Sequence, residues 1–90
     1  MRYKESIASN KLKEVRQSLG LRQQDVAHVL GFKITDRISH WERGSAIPSI
    51  VNLFRLSSIY NISPQELYPD LAQFISTEVD EAFRKSVAKN

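Results

Sequence analysis

A chain of 90 residues with a formal charge of +3 and no cysteine is large enough for one modest core. It excludes a disulfide framework or a thiolate metal site as the source of its stability. There is no long apolar run and no charged-then-apolar leader, so the sequence reads as soluble and cytosolic, with no membrane contact. The charge is uneven: residues 1–62 hold ten Lys/Arg against five Asp/Glu, and residues 63–90 hold three against five. A basic body with an acidic tail suits a polyanionic partner for the body alone.

Helical period runs through almost every segment, strand-like alternation is absent, and the three glycines and three prolines fall between the periodic stretches. The pattern predicts an all-α fold. The first helix is expected to begin at Ser9 or Asn10, to bury Leu12, Val15 and Leu19, and to end at Gly20. The second runs from about Gln23 to Leu30 with Val26, Ala27 and Leu30 inward and Asp25 in its first turn, where a carboxylate is favoured. Gly31 supplies the backbone freedom for a turn.

A third helix starts between Ile34 and Asp36 and ends at Gly44. At about 100° per residue, Ile34, Ile38 and Trp41 share one side and Asp36, His40 and Arg43 the other, with Thr35, Arg37 and Ser39 on the flanks. Ser49 caps a fourth helix, expected to bury Ile50, Leu53, Phe54 and Leu56 and to end at Asn61. Ser63-Pro64-Gln65-Glu66 is a capping box with proline at the first helical position, opening a short fifth helix through Tyr68 that Pro69 breaks. From Asp70 onward, Leu71, Phe74, Ile75, Val79, Ala82, Phe83 and Val87 mark a sixth, amphipathic helix.

The second and third helices, joined by a tight turn, carry the functional signal. An amphipathic helix held at a fixed angle on a partner helix presents side chains to a DNA major groove, which admits one helix. Arg16 with Leu12, the run Gln23-Gln24-Asp25-Val26-Ala27, Gly31, the block Ile38-Ser39-His40-Trp41-Glu42-Arg43-Gly44, Pro48-Ser49, and Ser63-Pro64 before Glu66-Leu67 appear in order. In these the chain resembles the lambda-repressor-like, Xre-type helix-turn-helix proteins over roughly Asn10 to Leu71.

The resemblance implies a five-helix DNA-binding domain over residues 10–70, preceded by an arm at 1–9 and followed by an additional C-terminal helix over 71–90. It implies dimers on near-palindromic operators in double-stranded DNA. Carried over position by position, Gln23 touches phosphate or a base edge, and Thr35, Asp36, Arg37, Ser39 and His40 occupy base-reading positions. Lys33, Arg43 and Ser45 lie near the DNA backbone, and Arg16 and Glu42 form an ion pair tying the first helix to the third. Two features depart from the family pattern. Arg22 stands where a capping Thr or Ser is usual, which weakens that cap and offers a cation to phosphate. The span from Gly31 to Ile38 is one residue longer, leaving the start of the recognition helix open.

Trp41, in phase with Ile34 and Ile38, is expected in the core rather than stacked on bases. Asp36 and His40 stand four apart without a nucleophile or enclosing pocket, so no catalytic role is expected. His28 and His40 lack a third ligand, and no metal or cofactor is expected. Asn61-Ile62-Ser63 matches a glycosylation sequon but reads as a helix-to-helix turn. Residues 1–9, with Arg2, Tyr3 and Lys4, read equally as a DNA-wrapping arm or a frayed tail. In the last helix, Leu71, Phe74 and Ile75 are expected to cap the protomer's own core beside the fifth helix, while Val79, Ala82 and Phe83 point elsewhere and either fold back onto the protomer or meet a second copy. The expectation is a cytoplasmic, nucleoid-associated, non-enzymatic transcriptional repressor acting as a homodimer. The alternative is an antitoxin-like module that sequesters a small protein partner, a toxin or an anti-repressor, and autoregulates its operon.

Overall fold

The computed structural model describes residues 8–88, so most of the expected N-terminal arm (residues 1–7) lies outside the described residues. Six helices lie between residues 12 and 88: α1 Leu12–Ser18, α2 Gln23–Leu30, α3 Asp36–Arg43, α4 Ile50–Tyr60, α5 Pro64–Leu67 and α6 Pro69–Ala88. The described residues contain no strand, so the fold is all-α.

Four of these helices close the same way. Gly20, Gly31, Gly44 and Asn61 all take positive φ, from 56 to 81°. After each, the next residue's N–H reaches back five positions: Leu21 to Arg16 O, Phe32 to Ala27 O, Ser45 to His40 O and Ile62 to Ser57 O. This closure satisfies carbonyls that a helix end leaves without partners. Leu21, Phe32 and Ile62 then turn their side chains back against the core. The turn chemistry thus converts a string of short helices into a folded body.

Helix starts are secured more variously. Asn10 Oδ1 accepts from Leu12 N at 2.9 Å, and its Nδ2 donates to Trp41 O at 2.9 Å, so this single amide starts α1 and ties it to α3. The departure at Arg22 is compensated by Asp25, whose carboxylate accepts from Arg22 N at 2.8 Å and from the guanidinium at 3.0 Å. That bond holds the Asp25 carboxyl below its ordinary range. Ser49 accepts from Asn52 N at 3.2 Å, and the Ser63–Glu66 capping box forms with Pro64 at the first helical position.

The core comprises Leu12, Val26, Ala27, Ile38, Trp41, Leu56, Tyr60, Leu67 and Tyr68. Against it, α1 meets α3, α2 meets α3 and α4, and α5 bridges α4 and α6.

Several expectations are corrected. Leu19 is exposed, because α1 ends at Ser18 and the chain has already turned. Ile34 is 63 % exposed and lies in a bend ahead of α3, so phase counted backward from Trp41 does not extend to it. Ile50 and Phe54 are exposed. The α4 helix is apolar nearly all round, and Leu53, Leu56 and Tyr60 form its inward side. Pro69 does more than break α5, for it opens α6 at once with only Tyr68 between them. Ile75 is exposed, since α6 is leaving the body by that point.

Candidate nucleic-acid interface

The site is built on α3. Ile38 and Trp41 point into the core, 1 % and 5 % exposed, while Asp36, Arg37, His40 and Arg43 are exposed and Thr35 and Ser39 half-buried. Eight residues make a rod of about 12 Å, short enough to sit within one major groove. Thr35 precedes the first helical residue without a side-chain capping bond. Lys33 and Ile34 occupy the bend before it.

A buried ion pair sets the angle of α3. Arg16 Nε donates to Glu42 Oε2 at 2.6 Å and Nη2 to Oε1 at 3.2 Å, with side chains 9 % and 3 % exposed. Arg16 Nη1 also donates to Leu21 O at 2.8 Å. The Glu42 hydrogen bond raises the Arg16 pKa further above its already basic value. Glu42 Oε1 receives a third donor, Gln23 Nε2, at 2.9 Å. One carboxylate therefore joins α1, the first residue of α2 and the end of α3. Gln23 is held on protein, with its amide oxygen outside that bond.

The extra residue between Gly31 and Ile38 is absorbed in the bend at 33–35. Phe32 anchors that segment. Its ring meets Trp41 edge to face with centroids 6.0 Å apart, and Arg37 Cζ lies 4.8 Å above the ring centre. A cation over an aromatic face is attracted by the ring quadrupole, so Phe32 holds the guanidinium head of a side chain expected to face DNA. The sequence reading did not single out Phe32. Its place just after a helix-ending glycine was the available signal.

At the far end, Arg43 donates to Ser39 Oγ and lies 3.2 Å from His40 Nδ1, while Ser45 Oγ sits 3.1 Å from that same nitrogen. Ser45 Oγ also donates to His40 O at 3.2 Å. The ring contacts engage its Nδ1 side and leave the Nε2 edge outside them. Arg37, His40 and Trp41 also line a shallow depression with Ala46, Ser49 and Asn52. This brings the start of α4 beside the reading helix, a neighbour that helical periodicity alone did not reveal.

Among the described residues no three His, Cys, Asp or Glu side chains converge to hold a metal ion. None of the described helices is long and apolar enough to cross a membrane. A family model described as Helix-turn-helix matches residues 12–67, the span from the first residue of α1 to the last of α5. No curated protein and no solved structure matches the chain.

Proposed function

The chain belongs to the Xre/lambda-repressor-like helix-turn-helix family of DNA-binding regulators, and from that premise we propose that it is a repressor. In this reading it binds a near-palindromic operator as a homodimer and blocks a promoter by occupancy. One observation carries the proposal. The short helix α3 is held to the body by Ile38, Trp41 and the Arg16–Glu42 pair, and leaves Asp36, Arg37 and His40 exposed on its outer face.

In this reading, His40 offers its Nε2–H to an acceptor such as guanine O6 or N7, and Asp36 accepts from a cytosine amino group. Thr35, Arg37 and Ser39 complete the base-reading set. Lys33 and Arg43 neutralise phosphates, and Gln23 contacts the backbone or a base edge from the start of α2. Homodimerisation separates this reading from the partner-sequestering one, which uses the same reading helix but needs a stable heterocomplex.

Selection of bound sequences from a random duplex pool tests the proposal. His40→Ala and Asp36→Ala should each keep the fold and lose about 1–3 kcal/mol of discrimination at particular positions. Replacing Lys33 and Arg43 together should reduce the log–log salt slope of binding by about 2. An unchanged slope would move the DNA face away from α3.

A further inference from the structure

Among the exposed cations around α2 and α3, Arg37 is placed unlike the rest. Arg43 donates to Ser39 Oγ, and the Arg22 guanidinium is tied to Asp25 at 3.0 Å. Lys33 stands exposed in the bend before α3. Arg37 is exposed as well, but its Cζ rests 4.8 Å from the centre of the Phe32 ring, and no described residue accepts a hydrogen bond from it. Stacking engages the face of a guanidinium, whereas its five N–H donors lie in the plane and point outward from its edges. Arg37 is therefore held without using the hydrogen bonds it would offer a ligand.

The ring beneath it is fixed in turn. Phe32 follows the left-handed Gly31 that closes α2, and its N–H donates to Ala27 O at 2.8 Å. Its ring meets the buried Trp41 edge to face at 6.0 Å. Trp41, Phe32 and Arg37 thus form a line from the core to the outer face of α3. Phe32 and Arg37 lie on either side of the bend that takes up the extra residue before that helix.

Arg37 is the second residue of α3, at the end of a reading helix whose side chains contact base edges. Guanine presents two acceptors, N7 and O6, on its major-groove edge, and arginine matches them with two donors of one fork. An unsupported arginine loses much rotamer freedom when it takes up such a pose. Stacking on Phe32 removes that freedom on folding, so less is lost on binding.

We propose that Phe32 is a positioning residue for DNA reading, which stacks beneath the Arg37 guanidinium and fixes it to read one guanine in the bound duplex. This rests on the assignment of α3 as the reading helix and gives Arg37 both its base and its support. Phe32 touches no base in this arrangement and acts through Arg37. Sequence-independent binding does not depend on the stack, because neutralising phosphate needs charge and not a fixed plane.

Competition binding of the full chain to the duplex it selects from a random pool, and to the single-base variants of that duplex, tests the role. Arg37→Ala should relax the preference for guanine at one position by about tenfold or more, and Phe32→Leu should relax it at the same position by about three- to tenfold. Phe32→Tyr keeps the aromatic face and should keep the preference. Combining Phe32→Leu with Arg37→Ala should be no worse at that position than Arg37→Ala alone. In the parent protein without DNA, the Arg37 δ-methylene protons should show an upfield ring-current shift by NMR, a readout that needs no variant to fold. Arg37 protons without that shift overturn the positioning role and leave α3 as the reading helix. So does a Phe32→Leu protein that keeps the guanine preference or loses affinity for every duplex alike. An Arg37→Ala protein weakened equally on all duplexes makes Arg37 a phosphate contact, which also overturns the proposal. Should Asp36→Ala, Arg37→Ala and His40→Ala all leave every preference unchanged, the reading assignment of α3 falls with it.

Discussion

Two side-chain groupings decide most at the scale of single residues. The Glu42 carboxylate is almost fully buried and takes donors from Arg16 and Gln23, so deleting a partner strands a charge in the interior. Arg16→Ala or Glu42→Ala should cost about 3–5 kcal/mol in denaturant unfolding. The double replacement by apolar residues of similar volume should cost much less than the two single losses added. Full additivity would mean the pair does not act as a unit. Tyr60 and Tyr68 are the second grouping. Both are buried, and neither hydroxyl has a hydrogen-bond partner among the described residues. Burial pushes both phenols up to about 12, against about 10 in the unfolded chain. The unfolded state therefore sheds its protons first, and stability falls as pH rises from 10 through 12. Each tyrosine accounts for about 2–3 kcal/mol of that fall. Tyr68→Phe should be neutral or mildly stabilising at pH 7, where it removes an unpartnered hydroxyl. It should also roughly halve the alkaline loss in unfolding curves taken at pH 7, 10 and 11.

The elements are governed by their ends. Helices of seven or eight residues are marginal alone, and α1, α2 and α3 persist because each is closed by a left-handed residue and a five-back hydrogen bond. Gly44 carries the heaviest demand. Its φ is +77°, and a Cβ there would lie 3.1 Å from Ala8 O, whereas the corresponding space at Gly31 is open. Gly31→Ala should cost about 1–2 kcal/mol for the left-handed backbone alone. Gly44→Ala should cost more, because the Ala8 backbone must also give way. Equal thermal shifts in the two variants would show that the segment at Ala8 yields freely.

On the scale of the whole molecule, the nine core residues all precede α6. Truncation after Ile75 should therefore leave a cooperative thermal transition, measured by circular dichroism, with little change in midpoint. The same truncation removes the exposed row of Val79, Phe83 and Val87, so the protein should sediment as a monomer and bind a full operator much more weakly than the intact chain. A truncated protein that unfolds would show that the outer part of α6 contributes to the protomer core beyond the packing of Leu71. One that still dimerises would place the interface on the body.

Chemistry within a few residues was legible in the sequence. A glycine or asparagine after each of the first four periodic stretches, the Ser49 and Ser63 caps, and the inward phase of Ile38 and Trp41 depend on local backbone geometry and helical pitch. They were readable because those constraints act between neighbours. The ordered series of motifs also carried the family, and with it the expectation of a reading face on α3. Contacts between elements were not legible in this way. Periodicity assigned the apolar residues of α4 to one inward side, but only packing against α2 and α5 selects Leu53, Leu56 and Tyr60 over Ile50 and Phe54. The one-residue lengthening before α3 was visible as a count. Its resolution into a bend with Ile34 in solvent came from Phe32 meeting Trp41, an aromatic contact across nine positions. The sharing of Glu42 between Arg16 and Gln23 joins three helices. The resemblance implied its Arg16–Glu42 arm, but Gln23 reaches the same carboxylate only through the packing of α2 against α3, which the tertiary structure alone decides.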